Sequence, residues 1–273
     1  MREPSEVAVA LGAGQFRALH WEGAGTPIVF LHGLTAIADV WQPTVDAVPP
    51  GSGSYWAFDQ RGHGDSPAPA DGYSIAAFVR DLFDFVEALK LDRPHLAGHS
   101  MGARVALVAA ARHPRAFRSV AVVDIGPERW AKNWRETVAS IERMPATFSE
   151  EEALAFFTRN RPTSPDRQRL YLARLRGTAG GQLTWRGSPD AWRQTVISHR
   201  SRDFWHDWDR IGMPALLIRG GDSNELRPRV AAEMRQRNGA IQYEELAGIG
   251  HNIPLLAPGR LAARLSTFWA GLA

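Results

Sequence analysis

The sequence predicts an α/β fold: a mostly parallel, doubly wound sheet of eight strands with a helical cap inserted into it. Three observations carry that expectation. Short apolar runs of β character alternate with amphipathic helical stripes, the pattern of a parallel sheet covered on both faces. The runs end in Gly or a polar residue, so polar groups collect at the carboxyl edge of the sheet, where open α/β folds bind ligands. Between about 127 and 208 the strand signals stop and helix starts accumulate, over a stretch too long to be plain loop.

Residues 7–11 and 16–21 read as an opening hairpin. Residues 28–31, Ile-Val-Phe-Leu, form a buried strand ending at His32-Gly33. Strand 55–58 ends at Asp59, 95–97 leads into Gly98, and 120–123 ends at Asp124. Strand 215–218 runs into Arg219-Gly220-Gly221, and 241–246 precedes Gly248-Ile249-Gly250-His251. Ile75, Phe78, Val79, Leu82, Val86 and Leu89 recur at helical spacing and form a stripe that packs on the sheet. The apolar members of 105–111 and 261–269 do the same. The expected domains are a core of 1–126 and 209–273 and a cap of 127–208. Within the cap, Ser149 and Glu152 make a capping box. Ser164-Pro165 and Ser188-Pro189 each set an N-cap before a proline in the first turn. Trp130, Trp134, Phe156, Phe157, Trp185, Trp192, Phe204 and Trp205 supply the cap with core, and some of them with walls for an apolar substrate pocket. Trp130 and Trp134 are the candidates for such walls.

Composition excludes several classes. The 273 residues are 44% hydrophobic and 22% charged, as in an ordinary globular protein. The net charge is +3, and its arginines are scattered among acids without a basic block, so nucleic acid is not an expected partner. The start, Met1-Arg2-Glu3-Pro4-Ser5-Glu6, has no apolar targeting region and no run is long enough to cross a bilayer, which sets a cytoplasmic, membrane-free expectation. Zero cysteines exclude disulfides and a thiol nucleophile. The histidines lack metal-ligand spacing, and no metal or cofactor is expected. A monomer and a homodimer are both compatible with the chain.

The chemistry concentrates in Gly98-His99-Ser100-Met101-Gly102. Gly-x-Ser-x-Gly between a strand and a helix is a sharp turn that lifts a serine hydroxyl above the sheet, and its flanks must be small. A serine needs a base, and His251, on the loop after the last strand, fits that slot. His32, His63 and His99 sit inside turn motifs and take structural roles, although His32, Gly33 and His99 stand close enough to the turn to count as substrate-binding candidates.

Together, Leu31-His32-Gly33-Leu34, the run Asp59-Gln60-Arg61-Gly62-His63-Gly64-Asp65-Ser66, the turn at Ser100 and Gly250-His251 make the chain resemble the α/β-hydrolase superfamily in its capped, esterase-like branch, over nearly its whole length. The resemblance implies an oxyanion hole from the backbone N–H groups of Leu34 and Met101. It gives Arg61 and its neighbouring glycines a bracing role. It offers two places for the triad acid. At the second, relatives read Arg-Gly-x-x-Ser-Asp where this chain has Arg219-Gly220-Gly221-Asp222-Ser223-Asn224, so the neutral Asn224 occupies the acid position, with Asp222 two residues early and Glu225 one late. Asp124, at a strand's carboxyl end, is therefore the expected acid, and Asp222 the alternative. The implied function is hydrolysis of carboxylic esters, lactones included, on a small apolar substrate. Carbon–carbon bond hydrolysis, amide cleavage and perhydrolysis use the same triad and stay open. A non-catalytic ligand receptor on the same scaffold is the rival of another class. Haloalkane dehalogenases and epoxide hydrolases carry Asp at the turn, and Ser100 argues against both.

Overall fold

The computed structural model describes residues 2–49, 53–129, 134–159, 162–200 and 202–272. The chain opens with the antiparallel strands β1 (Ser5–Leu11) and β2 (Gly14–Trp21), then β3 (Pro27–Leu31), helix α1 (Gln42–Ala47), β4 (Ser54–Phe58) and α2 (Ile75–Ala88). Strand β5 (His95–His99) turns directly into α3 (Met101–Arg112), followed by β6 (Ser119–Val123). An insertion follows, with α4 (Trp134–Glu142), β7 (Thr147–Phe148), α5 (Glu150–Thr158), α6 (Pro165–Leu172), β8 (Leu175–Gly177), β9 (Leu183–Trp185), α7 (Pro189–Arg200) and α8 (Trp205–Asp209). The chain then returns through β10 (Ala215–Gly220), α9 (Pro228–Arg237), β11 (Gln242–Leu246), α10 (Ile253–Leu256) and α11 (Pro258–Ala270).

One eight-stranded sheet, in the order β1-β2-β4-β3-β5-β6-β10-β11, is parallel from β4 to β11. Its central strands are apolar on both sides between their ends because both faces are covered. Val29, Leu31, Leu96, Val120, Val122 and Leu217 face the core shared with α2, α3, α8 and α9. Ile28, Phe30, Ala97, Ala121, Val123, Leu216 and Ile218 face the opposite core, filled by Trp41, Val45, Leu261, Leu265 and Phe268 from α1, α11 and the turn before α1. The order reverses beside β3 and β5. That switch point puts the ends of β3, β5 and β6, and with them His32, Ser100 and Asp124, at one carboxyl edge.

The insertion differs from expectation in one respect. It contains a small antiparallel sheet, β7-β9-β8. Strands of two or three residues are too short to show a period of two, and neighbours rather than pattern define them. The expected caps are present. The Ser149 hydroxyl accepts from the Glu152 N–H at 3.2 Å while the Glu152 carboxylate accepts from the Ser149 N–H at 2.7 Å. Ser164 and Ser188 cap α6 and α7 through the N–H groups of Arg167 and Ala191. The insertion has its own apolar cluster of Ile141, Phe148, Leu175, Trp185, Trp192 and Val196. Within it, Trp185 meets Trp192 edge to face at 5.4 Å. No helix among the described residues is long and apolar enough to cross a membrane.

Candidate active site

The turn between β5 and α3 is held by contacts that tolerate no larger side chain. A Cβ on Gly98 would stand 2.4 Å from the Gly102 carbonyl oxygen, and one on Gly102 would stand 2.3 Å from that of Leu31. Ser100 takes φ 53°, ψ −115°, a region that side chains rarely occupy and that costs on the order of 1–3 kcal/mol. The backbone pays for it with a Ser100 N–H bond to the Val123 carbonyl at 3.0 Å. The hydroxyl so presented donates to His251 Nε2 at 2.9 Å.

His251 Nδ1 donates to Asp124 Oδ2 at 2.7 Å, which fixes the tautomer that leaves Nε2 an acceptor. Asp124 is fully buried at the end of β6. Its Oδ1 accepts the Gly220 N–H at 2.8 Å, and its Oδ2 also accepts the Ser223 hydroxyl. These bonds offset the cost of burying a carboxylate. The His251 loop is tied down separately. His99 Nε2 donates to the His251 carbonyl at 2.8 Å, and the Asp222 N–H donates to the Ile249 carbonyl at 3.0 Å. Burial draws the His99 pKa down to about 3, so that ring is a neutral strut beside His251. The Asp222 side chain is exposed, and among the described residues His251 Nδ1 bonds to Asp124 instead.

The N–H groups of Leu34 and Met101 both lack an acceptor among the described residues, and Leu34, Ser100 and Met101 line one recess. Met101 opens α3, so its N–H lies at the positive end of the helix dipole. A hydroxyl bonded to a base with a fixed tautomer and two unoccupied donors together make an arrangement able to form and hold a tetrahedral oxyanion.

A family model described as the alpha/beta hydrolase fold matches residues 26–258. The chain belongs to this family. Within it, the chain is 26% identical over 243 residues to the 2-(acetamidomethylene)succinate hydrolase of Mesorhizobium japonicum, covering 87% of this chain and 85% of that protein. It is 30% identical over 251 residues to the N-formylmaleamate deformylase of Pseudomonas putida, at 86% and 85% coverage. The crystal structure of E-2-(acetamidomethylene)succinate hydrolase superposes with a TM-score of 0.90 at 24% identity, covering 98% of this chain and 100% of the other. The chain is thus an α/β-fold hydrolase by family.

In this hydrolase a cavity of about 230 Å³ opens above Ser100. Gly33, Leu34, His99, Ser100, His251 and Asn252 form its floor, and the insertion contributes Leu170, Tyr171, Arg174 and Arg200. Two of the expected substrate-binding residues are not there. His32 is fully buried beneath the floor, its Nδ1 donating to the Gly33 carbonyl and its Nε2 accepting the Gln60 N–H, so both nitrogens serve the backbone. Trp134 packs on the insertion's own apolar cluster. Trp130 lies outside the described residues. The remaining large aromatics of the insertion also serve packing. Trp185 and Trp192 fill its cluster, Phe204 joins the main core, and Tyr171 is the insertion aromatic that lines the cavity. Large apolar rings gain most by full burial, which takes them away from a wet cleft.

The run after β4 braces from below. Arg61 grips the Asp81 carboxylate of α2 with two bonds of 2.5 Å. Asp59 accepts the Ala38 N–H at 2.7 Å and that of Asp65 at 3.1 Å. Ser223 and Arg174 were missed by sequence reasoning. Ser223 sat in the loop considered for the acid and was signalled there. Arg174 is one arginine among many, and nothing in its neighbourhood marks it.

Proposed function

We propose that this hydrolase cleaves carboxylic esters, lactones included, through an acyl-enzyme on Ser100. The observation that carries this reading is the unbroken hydrogen-bond path from Ser100 Oγ through His251 to Asp124 at the floor of the cavity. His251 Nε2 takes the Ser100 proton as Oγ bonds to the carbonyl carbon. The carbonyl oxygen becomes an oxyanion received by the Leu34 and Met101 N–H groups. Collapse of the intermediate breaks the bond to the alcohol oxygen, which leaves with the proton from His251. Water then gives its proton to His251, attacks the acyl carbon and releases the acid, and Ser100 recovers its proton. Asp124 stabilises the imidazolium in both halves. Residues 127–208 act as a lid on the core of 1–126 and 209–273, supplying the cavity's outer wall.

A second reading has support in the relatives' names, one an acetamidomethylene compound's hydrolase and the other an N-formyl compound's deformylase. The same nucleophile would then open an N-acyl bond. Steady-state kcat/KM on acetate and butyrate esters, the matched anilides and formanilides, and γ-butyrolactone separates the two. The proposal expects the ester to exceed its matched amide by tenfold or more, with an initial burst of alcohol equal to the enzyme. An amide or formamide turned over faster than its ester overturns it in favour of N-acyl cleavage.

A further inference from the structure

Arg174 follows α6 on the cavity wall. Its Nε donates to the Thr35 carbonyl at 2.8 Å and its Nη2 to the Thr35 hydroxyl at 2.6 Å. Its Nη1 has no hydrogen-bond partner among the described residues, and no carboxylate there lies within ion-pair distance of the group. Three other arginines with little exposure are matched, Arg17 with Glu6, Asp39 and Asp59, Arg61 with Asp81 and Arg219 with Glu245, whereas the buried Arg104 has no carboxylate within ion-pair distance among the described residues. The faces of Phe157, at 4.6 Å, and Trp185, at 6.0 Å, recover part of the cost of desolvating Arg174. They do not supply a counter-charge. Desolvation draws its pKa down to about 10, which still leaves it charged at neutral pH. The side chain is partly accessible, and it lines the cavity.

The rest of the lining is mostly apolar, with Leu34, Ile37, Val40, Leu170 and Leu255 among it. It contains no Asp and no Glu, and its second cation, Arg200, faces Glu225 at 3.6 Å behind the wall. Arg104, buried in the adjoining recess, is held by the carbonyls of His199 and Gly126 and by the ring face of Phe204 at 5.3 Å. Glu225 and Glu128 share a recess with these two cations, behind the cavity wall, and Glu128 is paired there with Arg227 and Arg229. A neutral amide side chain could make the bonds to Thr35, so bracing that loop explains the geometry of Arg174 and not its charge. Burying an unmatched charge is costly unless a partner arrives.

We infer that the cavity selects substrates bearing a carboxylate, received by the open edge of the Arg174 guanidinium while Ser100 attacks the acyl group of the same molecule. This rests on the acyl-enzyme reading above and adds a charged group to the apolar substrate expected from sequence. The volume of about 230 Å³ limits the substrate to a small molecule, so its carboxylate stands only a few bonds from the reacting carbonyl. The carboxylate can belong to the acyl half or the leaving half.

The test pairs each anionic ester with a neutral counterpart. Monomethyl succinate against methyl butyrate probes an acyl-side carboxylate, and acetoxyacetate against its methyl ester probes the leaving side. We expect kcat/KM to favour the anion by roughly tenfold to a hundredfold in one arm, the range of a charge-assisted pair. In Arg174→Gln that ratio falls to near one through a rise in KM, and Arg174→Lys keeps part of it. A brace without a receptor role would lower both esters alike in both variants. Wild-type ratios near one in both arms, or a ratio that survives Arg174→Gln, overturn the inference. Binding supplies a readout independent of turnover: glutarate, and not glutaramide, raises the melting temperature of the wild type and not of Arg174→Gln. Glutarate binding without ester turnover would fault the acyl-enzyme reading alone, and ester turnover without anion preference would fault this inference alone.

Discussion

Replacing Asp124 by Asn tests the least obvious member of the hydrogen-bond path. The carboxylate accepts three donors: Gly220 N–H on Oδ1, and His251 Nδ1–H with the Ser223 hydroxyl on Oδ2. An amide has one oxygen to offer. If that oxygen stays on Gly220, the NH2 faces His251 Nδ1, which must give up its proton to accept. The proton then sits on Nε2 and points at Ser100, and the base is lost. If the amide flips, the NH2 meets the Gly220 N–H in a fully buried site, at about 1–3 kcal/mol for the unsatisfied pair. The first arrangement costs less because the imidazole can change tautomer, and the serine hydroxyl of Ser223 can rotate to accept. Turnover should fall about 10⁴-fold while the fold persists. Asp222→Asn, altering an exposed side chain, should change turnover less than twofold. The assay is kcat on a small ester beside circular dichroism and a thermal melt for each variant. An Asp124→Asn enzyme within tenfold of wild type, with Asp222→Asn the crippled one, would refute the reasoning and move the acid.

Two other perturbations follow from packing and burial. Gly102→Ala sets a Cβ 2.3 Å from the Leu31 carbonyl oxygen and 2.6 Å from that of His32, so α3 and the loop after β3 must part by close to 1 Å. Stability should fall by about 1–3 kcal/mol and kcat by up to about 10²-fold as Met101 and Leu34 move apart, and unchanged kinetics would contradict the close approach. In a third case, burial holds His32 and His95 near pKa 4 and His99 and His199 near 3. The unfolded chain binds these protons near 6.5 while the native state refuses them, so stability present above pH 6.5 is lost as pH falls toward 4, at up to about 1.4 kcal/mol per pH unit for each group. Urea midpoints at pH 7.5 and 5.0 check this. His199→Phe should flatten the slope, and equal midpoints at the two pH values for the wild type would contradict the burial argument.

The readable part of this molecule is the part that sterics or periodicity dictates locally. Gly98 and Gly102 announce the turn because no other side chain fits, and the β-runs announce the sheet because both faces of it are apolar. His251 was legible from its place after the last strand. The carboxylate that meets His251 required a choice between two loops, because what holds Asp124 there is its contact with Gly220 and Ser223, about a hundred residues away in the chain. Strands β7 to β9 were hidden by their length. The insertion's aromatics suggested the walls of a pocket by composition, whereas Trp185, Trp192 and Phe204 pack into cores, and the apolar part of the wall comes from Leu34, Ile37, Val40, Leu170 and Leu255 beside Tyr171 and Arg174. His32 shows the same limit in reverse: its proximity to the turn was legible, and the carbonyl and N–H that occupy its two nitrogens were not.

The most direct measurement is intact-mass and peptide mapping after treatment with a fluorophosphonate, a phosphorylating trap for an activated serine. The account predicts one adduct, at Ser100, formed rapidly by the native protein, slowly by His251→Ala and not at all after denaturation. An adduct on another serine, or labelling at equal rates in the native protein and in His251→Ala, would contradict it.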